Sequence, residues 1–427
     1  MFRKILSSFL FLIFLLHTAH AQDMKIFRTM FREAEAILLY LNEDRTALEM
    51  FLELDRMDPG NAHINYKIGL CYLHIQGEKD KAIPYLLKAT KSVSRDFVPT
   101  YKERNAPPDA LFYLALSYHV NNQLDEAIVA YNDFIEQADI NSYYNIDYVR
   151  EQINGCLLAK EMMDNPLPVK EVQLTEQINL GTININSAVS GDGNTMVYTT
   201  EGEMGYQIFY ATRNGNSWGN PYDITDEINA QGDGISSSLS KDGKTLFVFR
   251  DNNGAGDLFV TYLENDRWSR LEPLNRNINT KYWENSCCLS PDGNTLIFSS
   301  NRKGGYGKLD LYRSEKNEEG EWGPAKNLGP VVNTPLMEDH PQLTIDGNML
   351  FFSSQGHNSF GGFDYYYSEK GKKSGWSLPV NLGYPISTTD DDQFMAPVGK
   401  GDTVYYSHYT KDIPSKKSNK RKRSRIL

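Results

Sequence analysis

Three acidic residues recur at a spacing that could do chemistry. Glu284, Glu338 and Asp392 lie 54 residues apart, and each has a polar follower: Asn285, Asp339 and Gln393. Carboxylates gathered from separate parts of a chain can work as an acid–base pair on a glycosidic bond. They can also form an anionic rim for a cation or a cationic peptide. Two earlier segments align with this column but carry Asn184 and Gly234, the latter beside Asp233. The plainer reading is that such carboxylates accept hydrogen bonds from turn amides. For Asp257, Asp310 and Asp364, which open strands, turn capping is the expectation.

Little else in the chain has the form of a reactive centre. There is no Gly-x-Ser-x-Gly turn, phosphate loop, His-Glu-x-x-His or serine-triad spacing. Gly304-Gly305-Tyr306-Gly307 and Gly361-Gly362 sit between strand patterns and read as turns. His340 and His357 have no partner at metal-ligand spacing. Cys71, Cys156, Cys287 and Cys288 are too few and too scattered for a disulfide framework. The first two read as small buried residues, and the pair as alternating strand residues rather than a vicinal disulfide. The expectation is no enzyme, no catalytic residue, no cofactor and no metal; the six column residues remain as a candidate ligand rim.

The elements that must position this column announce themselves by period. Asp-Gly turns fall at Asp192-Gly193, Asp242-Gly243, Asp292-Gly293 and Asp346-Gly347, and tryptophans follow at Trp218, Trp268, Trp322 and Trp376. Two independent markers keep a period of 50 to 54 residues. Within a unit, Leu289-Ser290 leads into Pro291-Asp292-Gly293-Asn294, a tight hairpin turn. Thr295–Ser299 follows as a β-branched and aromatic strand, then Asp310-Leu311-Tyr312, then a stretch opened by Trp322. Four short strands per ~50 residues specify a propeller blade. A fifth unit aligns Thr403-Val404-Tyr405-Tyr406-Ser407 with Met349-Leu350-Phe351-Phe352-Ser353, but Lys400 replaces the turn aspartate. The expectation is a five-bladed β-propeller over 166–410 with four strands per blade, the last blade incomplete. Val169–Ile178 looks like the fourth-strand segments ending at Leu274, Leu328 and Leu382, so it is expected to pair with blade five and remove an exposed edge.

Residues 22–165 have helical periodicity instead. Ala47, Phe51, Leu54 and Pro59 have the second-helix spacing of a 34-residue helical pair; Gly69, Tyr72, Ala82, Leu86 and Ala89 form a second unit. Leu111, Leu114, Ala115 and Tyr118, then Ala127, Tyr131 and Phe134, form the clearest one. Small residues let paired helices approach, and aromatics fill the space beside them. A last helix near Tyr144–Met163 is expected to cap the array, and Ser92–Pro108 is an insertion. Asn165-Pro166-Leu167-Pro168 marks the boundary. This part resembles the tetratricopeptide (TPR) family, which implies a concave surface for a peptide or protein.

Ser290-Pro291-Asp292-Gly293 followed by an apolar strand resembles the WD40-like repeat of TolB-type propellers. The order of parts narrows this to the tetratricopeptide–propeller–OmpA envelope proteins of Bacteroidetes, some of them PorE-like and serving secretion and gliding. No OmpA-like domain follows residue 410, so peptidoglycan anchoring is not carried over. Residues 1–21 read as a signal peptide: Arg3 and Lys4, an apolar run from Ile5 to Leu16, then Ala19-His20-Ala21 before Gln22. That run is too short to span a bilayer. The net charge of −11 includes seven basic and no acidic residues in 416–425, leaving the remainder at −18. An acidic body excludes a phosphate-tracking nucleic-acid protein. The tail, 411–427, reads as a solvated end, a contact for an anionic surface, or a substitute for a longer terminus. Together these imply a periplasmic, outer-membrane-associated scaffold for other envelope proteins or peptides, without a transmembrane span; the alternative is a propeller that binds or cleaves glycans. Export should leave a mature chain beginning at Gln22 and released by osmotic shock. N-terminal sequencing that returned Met1 on membrane-embedded protein would refute this.

Overall fold

The computed structural model describes residues 22–41, 43–137, 146–181, 183–202, 205–215, 217–252, 254–371, 375–410 and 423–426. The expected signal peptide and residues 411–422 of the tail lie outside them. The chain divides into two compact units, 1–156 and 157–427.

The first unit stacks α1 (22–36), α2 (Asp44–Met57), α3 (Ala62–His74), α4 (Ala82–Ala89), α5 (Asp109–His119) and α6 (Leu124–Gln137), followed by α7 (Ile146–Asp164). Asn61 caps α3 by accepting from the Ile64 amide at 3.2 Å. Gly69 is required by contact: a Cβ there would stand 2.5 Å from Leu86 Cγ of α4. Phe27, Phe31 and Ala34 of α1 pack on Ala47, Phe51 and Leu54 of α2. Phe112 of α5 meets Tyr131 and Phe134 of α6 at 5.7 and 5.8 Å. The insertion before α5 folds back on the N-terminus of α3, where Ala62 donates to Arg104 O at 2.9 Å. Phe97 and Phe31 enclose the His63 ring, at 4.8 and 5.2 Å, and burial lowers its pKa to about 4.

In the second unit the hairpin turn of each blade is tied by its own side chains. Ser190, Ser240, Ser290 and Thr344 donate their hydroxyls to Asp192, Asp242, Asp292 and Asp346 at 2.5–2.7 Å. Each carboxylate also accepts the amide two residues on. These bonds stabilise the charged form and hold Asp192, Asp292 and Asp346 below the ordinary aspartate range. The turns launch four antiparallel sheets. Their first three strands are Asn184–Val189, Thr195–Gly202 and Gly205–Asn214; Ile235–Leu239, Thr245–Asn252 and Ala255–Glu264; Glu284–Leu289, Thr295–Ser300 and Asp310–Glu315; Glu338–Leu343, Met349–Ser354 and Asp364–Glu369. The fourth strands, Tyr222–Asp223, Glu272–Pro273, Lys326–Asn327 and Val380–Asn381, are two residues long. The tryptophans precede them, on short returns from the third strands.

The blade count differs from the expected five. Four blades are complete. The fifth repeat forms a two-stranded sheet, Ala396–Val398 with Thr403–Tyr405, and a second pairing of Ser407–Thr410 with Arg423–Ile426. The reason lies in the turn: Val398 and Lys400 stand where serine or threonine and aspartate tie the others, so this hairpin lacks its staple. The short repeat still occupies a place around the axis. Gly191 donates to Lys241 O at 2.9 Å, Ile345 to Gly399 O at 2.9 Å, and Gly399 to Gly191 O at 3.3 Å, each joining neighbouring repeats through the backbone.

The seams between blades have one composition. Trp268 packs with Ile228, Trp322 with Ile278, and Trp376 with Val332; in each case the aliphatic residue leaves the preceding blade. At the seam that closes the circle, Trp218 of blade one packs with Tyr405 of the fifth repeat, and Ile178 from the N-terminal segment fills the aliphatic place. Leu174–Asn179 reproduces the turn of Leu274–Asn279: Ile178 and Asn179 both donate to Thr175 O, as Ile278 and Asn279 do to Asn275 O. The ladder bond is missing. Leu274, Leu328 and Leu382 donate to third-strand carbonyls, whereas Val169–Ile178 forms no strand, and Glu171 instead accepts from the Tyr406 hydroxyl. Closure is therefore made by side chains and the Gly399–Gly191 backbone bond rather than by the expected pairing. Ile178→Ala should cost about as much as Ile278→Ala, roughly 2–4 kcal/mol each, because both leave a cavity in an inter-blade seam. Chemical denaturation of the two variants checks this, and an Ile178→Ala protein as stable as the parent would contradict it.

Candidate functional site

The first strands of the blades stand side by side around the axis and are bonded across it. The Ser236 hydroxyl donates to Asn186 O at 2.8 Å, and the Cys287 amide to the Ser237 hydroxyl at 2.9 Å. Gln342 of blade four reaches Ser237 O of blade two at 3.2 Å. Cys287 and Cys288 are free thiols on opposite faces of one strand, buried in the seams on either side of blade three. Burial raises the pKa of Cys288 to about 12 and that of Cys287 further.

The acidic column lies at the start of these strands, buried. Glu284 and Glu338 are 0% exposed and Asp392 is 6% exposed. Each closes the loop that leads into its own strand, through a threonine four residues earlier. Glu284 accepts from the Thr280 amide at 2.8 Å and hydroxyl at 3.0 Å. Glu338 accepts from the Thr334 amide at 2.8 Å and hydroxyl at 2.6 Å. Asp392 accepts from the Thr388 amide at 2.5 Å and hydroxyl at 3.3 Å. Ser300 and Ser354 add hydroxyl donors to the two glutamates. Asn184, the blade-one counterpart, exchanges bonds with Gly181 using its amide. These threonines are not among the expected site residues, although Thr-x-x-x-Glu at Thr280 and Thr334 is legible in the chain.

The environments of the two glutamates differ by one residue. Arg302 stands 3.2 Å from Glu284 and lies over the rings of Phe298 and Tyr312. At the matching place in blade four is Gly356, where a Cβ would meet Thr334 Oγ1 at 2.4 Å. Burial without a cation pushes the Glu338 carboxyl up to about 7. Burial does the same to Asp392, with a further push from the charge of Asp364.

The polar neighbours of the column form a bridge between blades. Asp339 accepts from Asn285 Nδ2 and the Ser286 hydroxyl, both at 2.5 Å, and from the Ser299 hydroxyl at 2.7 Å. Gln393 gives its backbone carbonyl to the Tyr365 hydroxyl. The first strands bulge here, and Asn186, His340 and Phe394, equivalent in the repeats, all take positive φ. His340 contacts the Phe394 ring at 4.4 Å, and burial lowers its pKa. Among the described residues, no group of three His, Cys, Asp or Glu could hold a metal ion. Asp310 and Asp364 cap turns, accepting from Gly307 and Phe360 amides and from Asn327 and Asn381 side chains. This arrangement orients loops; both carboxylate oxygens of Glu284, Glu338 and Asp392 accept from donors supplied by the chain itself.

Comparison with known proteins matches two stretches, 65–93 and 109–138, to the tetratricopeptide repeat. No curated protein matches. Among solved structures, TolB from Acinetobacter baumannii is similar at 18% identity and a TM-score of 0.37, over 53% of this chain and 49% of that one. This chain thus spans about half the length of that protein. A putative TolB from Agrobacterium tumefaciens gives 15% and 0.34, over 49% and 69%. An alpha-L-arabinofuranosidase from Lactobacillus brevis gives 12% and 0.38, over 60% and 94%. The chain is a tetratricopeptide array followed by a propeller.

The raised carboxyl of Glu338 has a thermodynamic sign. Its folded pKa of about 7 lies above the ordinary 4.5. The unfolded chain therefore releases this proton first, and the group's contribution to stability falls as pH rises from 4.5 through 7. Between pH 5 and pH 8 the parent should lose on the order of 2 kcal/mol relative to Glu338→Gln. Comparing the two proteins cancels the opposite trend of buried His340 and His357. Denaturation curves that keep a constant difference between parent and variant at both pH values would refute the assignment.

Proposed function

We propose that the chain is an exported, non-enzymatic interaction scaffold of the periplasm, resembling the tetratricopeptide–propeller envelope proteins of Bacteroidetes. Its setting is an envelope-associated complex of the kind that serves secretion or gliding. The observation that carries this reading is the use made of the axial acids. Glycoside hydrolysis needs one open carboxyl to protonate the leaving group and a second facing the sugar. Here Glu284, Glu338 and Asp392 are buried, and each is bonded to the amide and hydroxyl of a loop threonine. The tetratricopeptide match adds a module whose stacked helices offer a concave surface to a peptide. Among the described residues, no helix is long and apolar enough to cross a membrane.

The test uses the full chain, tagged and expressed in a Gram-negative host. Periplasmic cross-linking should give adducts of fixed mass, and purified protein should release no reducing sugar from a panel of polysaccharides. Sugar release that disappears in Asp339→Asn would establish the propeller as a glycosidase and overturn the scaffold reading.

A further inference from the structure

The seams share a tryptophan but are not filled alike. In blade one, Val197 and Tyr210 stand opposite each other on the second and third strands. The Tyr210 ring meets Trp268 edge-on, with centroids 5.7 Å apart and planes at 74°. In blade two the same places hold Phe247 and Val260. Large and small residues have exchanged strands, so the ring has moved to the second strand, where Phe247 is fully buried. The phenol that Tyr210 supplies to the first seam has no counterpart at Val260. A cavity of about 360 Å³ lies there, floored by Val260, Leu274, Leu289 and Trp322, with Tyr262 and Lys316 at its edge.

We infer that this cavity receives the ring of a tyrosyl side chain from a partner protein, held edge-on to Trp322. The chain supplies the template for the ligand, since Tyr210 fills the equivalent place one blade earlier. Val260, Leu274, Leu289 and Trp322 offer the ring apolar contact, while the larger share of the lining is polar and suits the phenolic end. Lys316, whose ammonium lies 4.9 Å from the Trp322 ring, is exposed and placed to meet a ring face or a phenolic oxygen. Asp242 and Asp292, also at the cavity, are tied to Ser240 and Ser290 and leave the recognition to the ring. Tyr262, 42% exposed, can extend the contact outward along the partner chain. That the ring belongs to a protein rests on the scaffold reading; that a ring fits rests on the cavity.

The experiment follows the indole N–H resonances of the five tryptophans in the ¹⁵N-labelled full chain, with Trp322 assigned by its loss in Trp322→Phe. Titration with N-acetyltyrosinamide should shift the Trp322 signal saturably, with half-saturation on the order of 1 mM for a ligand of this size. N-acetylalaninamide should leave it unmoved. Val260→Tyr gives blade two the residue that blade one carries, and should abolish the response while the protein stays folded; Val260→Phe is a second filling variant. No saturable shift at Trp322, a shift that survives in a folded filling variant, or an equal shift with methyl glucoside would overturn the inference. Loss of ring binding with the envelope cross-links intact would remove the pocket alone. Loss of the cross-links with ring binding intact would remove the scaffold reading alone.

Discussion

Every complete seam of the propeller depends on the same pair: a tryptophan from one blade and a branched aliphatic residue from the loop that leaves the blade before it. Ile228 with Trp268, Ile278 with Trp322, and Val332 with Trp376 repeat the arrangement. A sheet that twists cannot lie flat on its neighbour, and a large ring set against a small branched chain fills the wedge between them. A circle has no end blade, so the same seam must also form where the chain's termini meet. Ile178 and Trp218 supply it. The seam between blade four and the fifth repeat uses Ile386 with Met395 and Tyr406.

Around this frame, charge serves geometry. The hairpin aspartates, the column acids, Asp310 and Asp364 each accept bonds from amides within a few residues, which fixes the loops they sit in. The arrangement is costly where burial is complete. Glu284 has Arg302 to offset its desolvation; Glu338, with Gly356 in that place, does not. Asp364 is likewise pushed to about 7 by burial. Glu338 and Asp364 look like catalytic acids by these shifts alone, and the loop bonds that Glu338 accepts say otherwise.

Much of the fold was legible in the sequence because its determinants are local. Asp-Gly turns and tryptophans report their own period, and Gly69 opposite Leu86 reports a close helix pair. The blade count failed at Val398 and Lys400: strand composition in Thr403–Ser407 matched blade four, but the turn lacked both staple residues, and propensity without the turn makes only a short pairing. The column was legible as a column. Its use was not, because that depends on threonines four residues upstream which also suit any loop. The second-seam cavity was invisible for a different reason. It arises from an exchange of sizes between Phe247 and Val260, whose opposition is set by register and not by any motif.

Closure by both ends of the propeller has a kinetic consequence. Ile178 and Tyr405 share one cluster although 227 residues separate them. The contact order of that seam is therefore far above that of any hairpin, and loop-closure entropy makes such contacts form late. As the chain emerges from its N-terminus, blade one can fold with blade two, but its other face, with Trp218, must wait for residues 396–405. Until then an aromatic surface is open to association. Blade one is thus the first blade to be made and the last to be sheltered, which is where a chaperone would have most to hold.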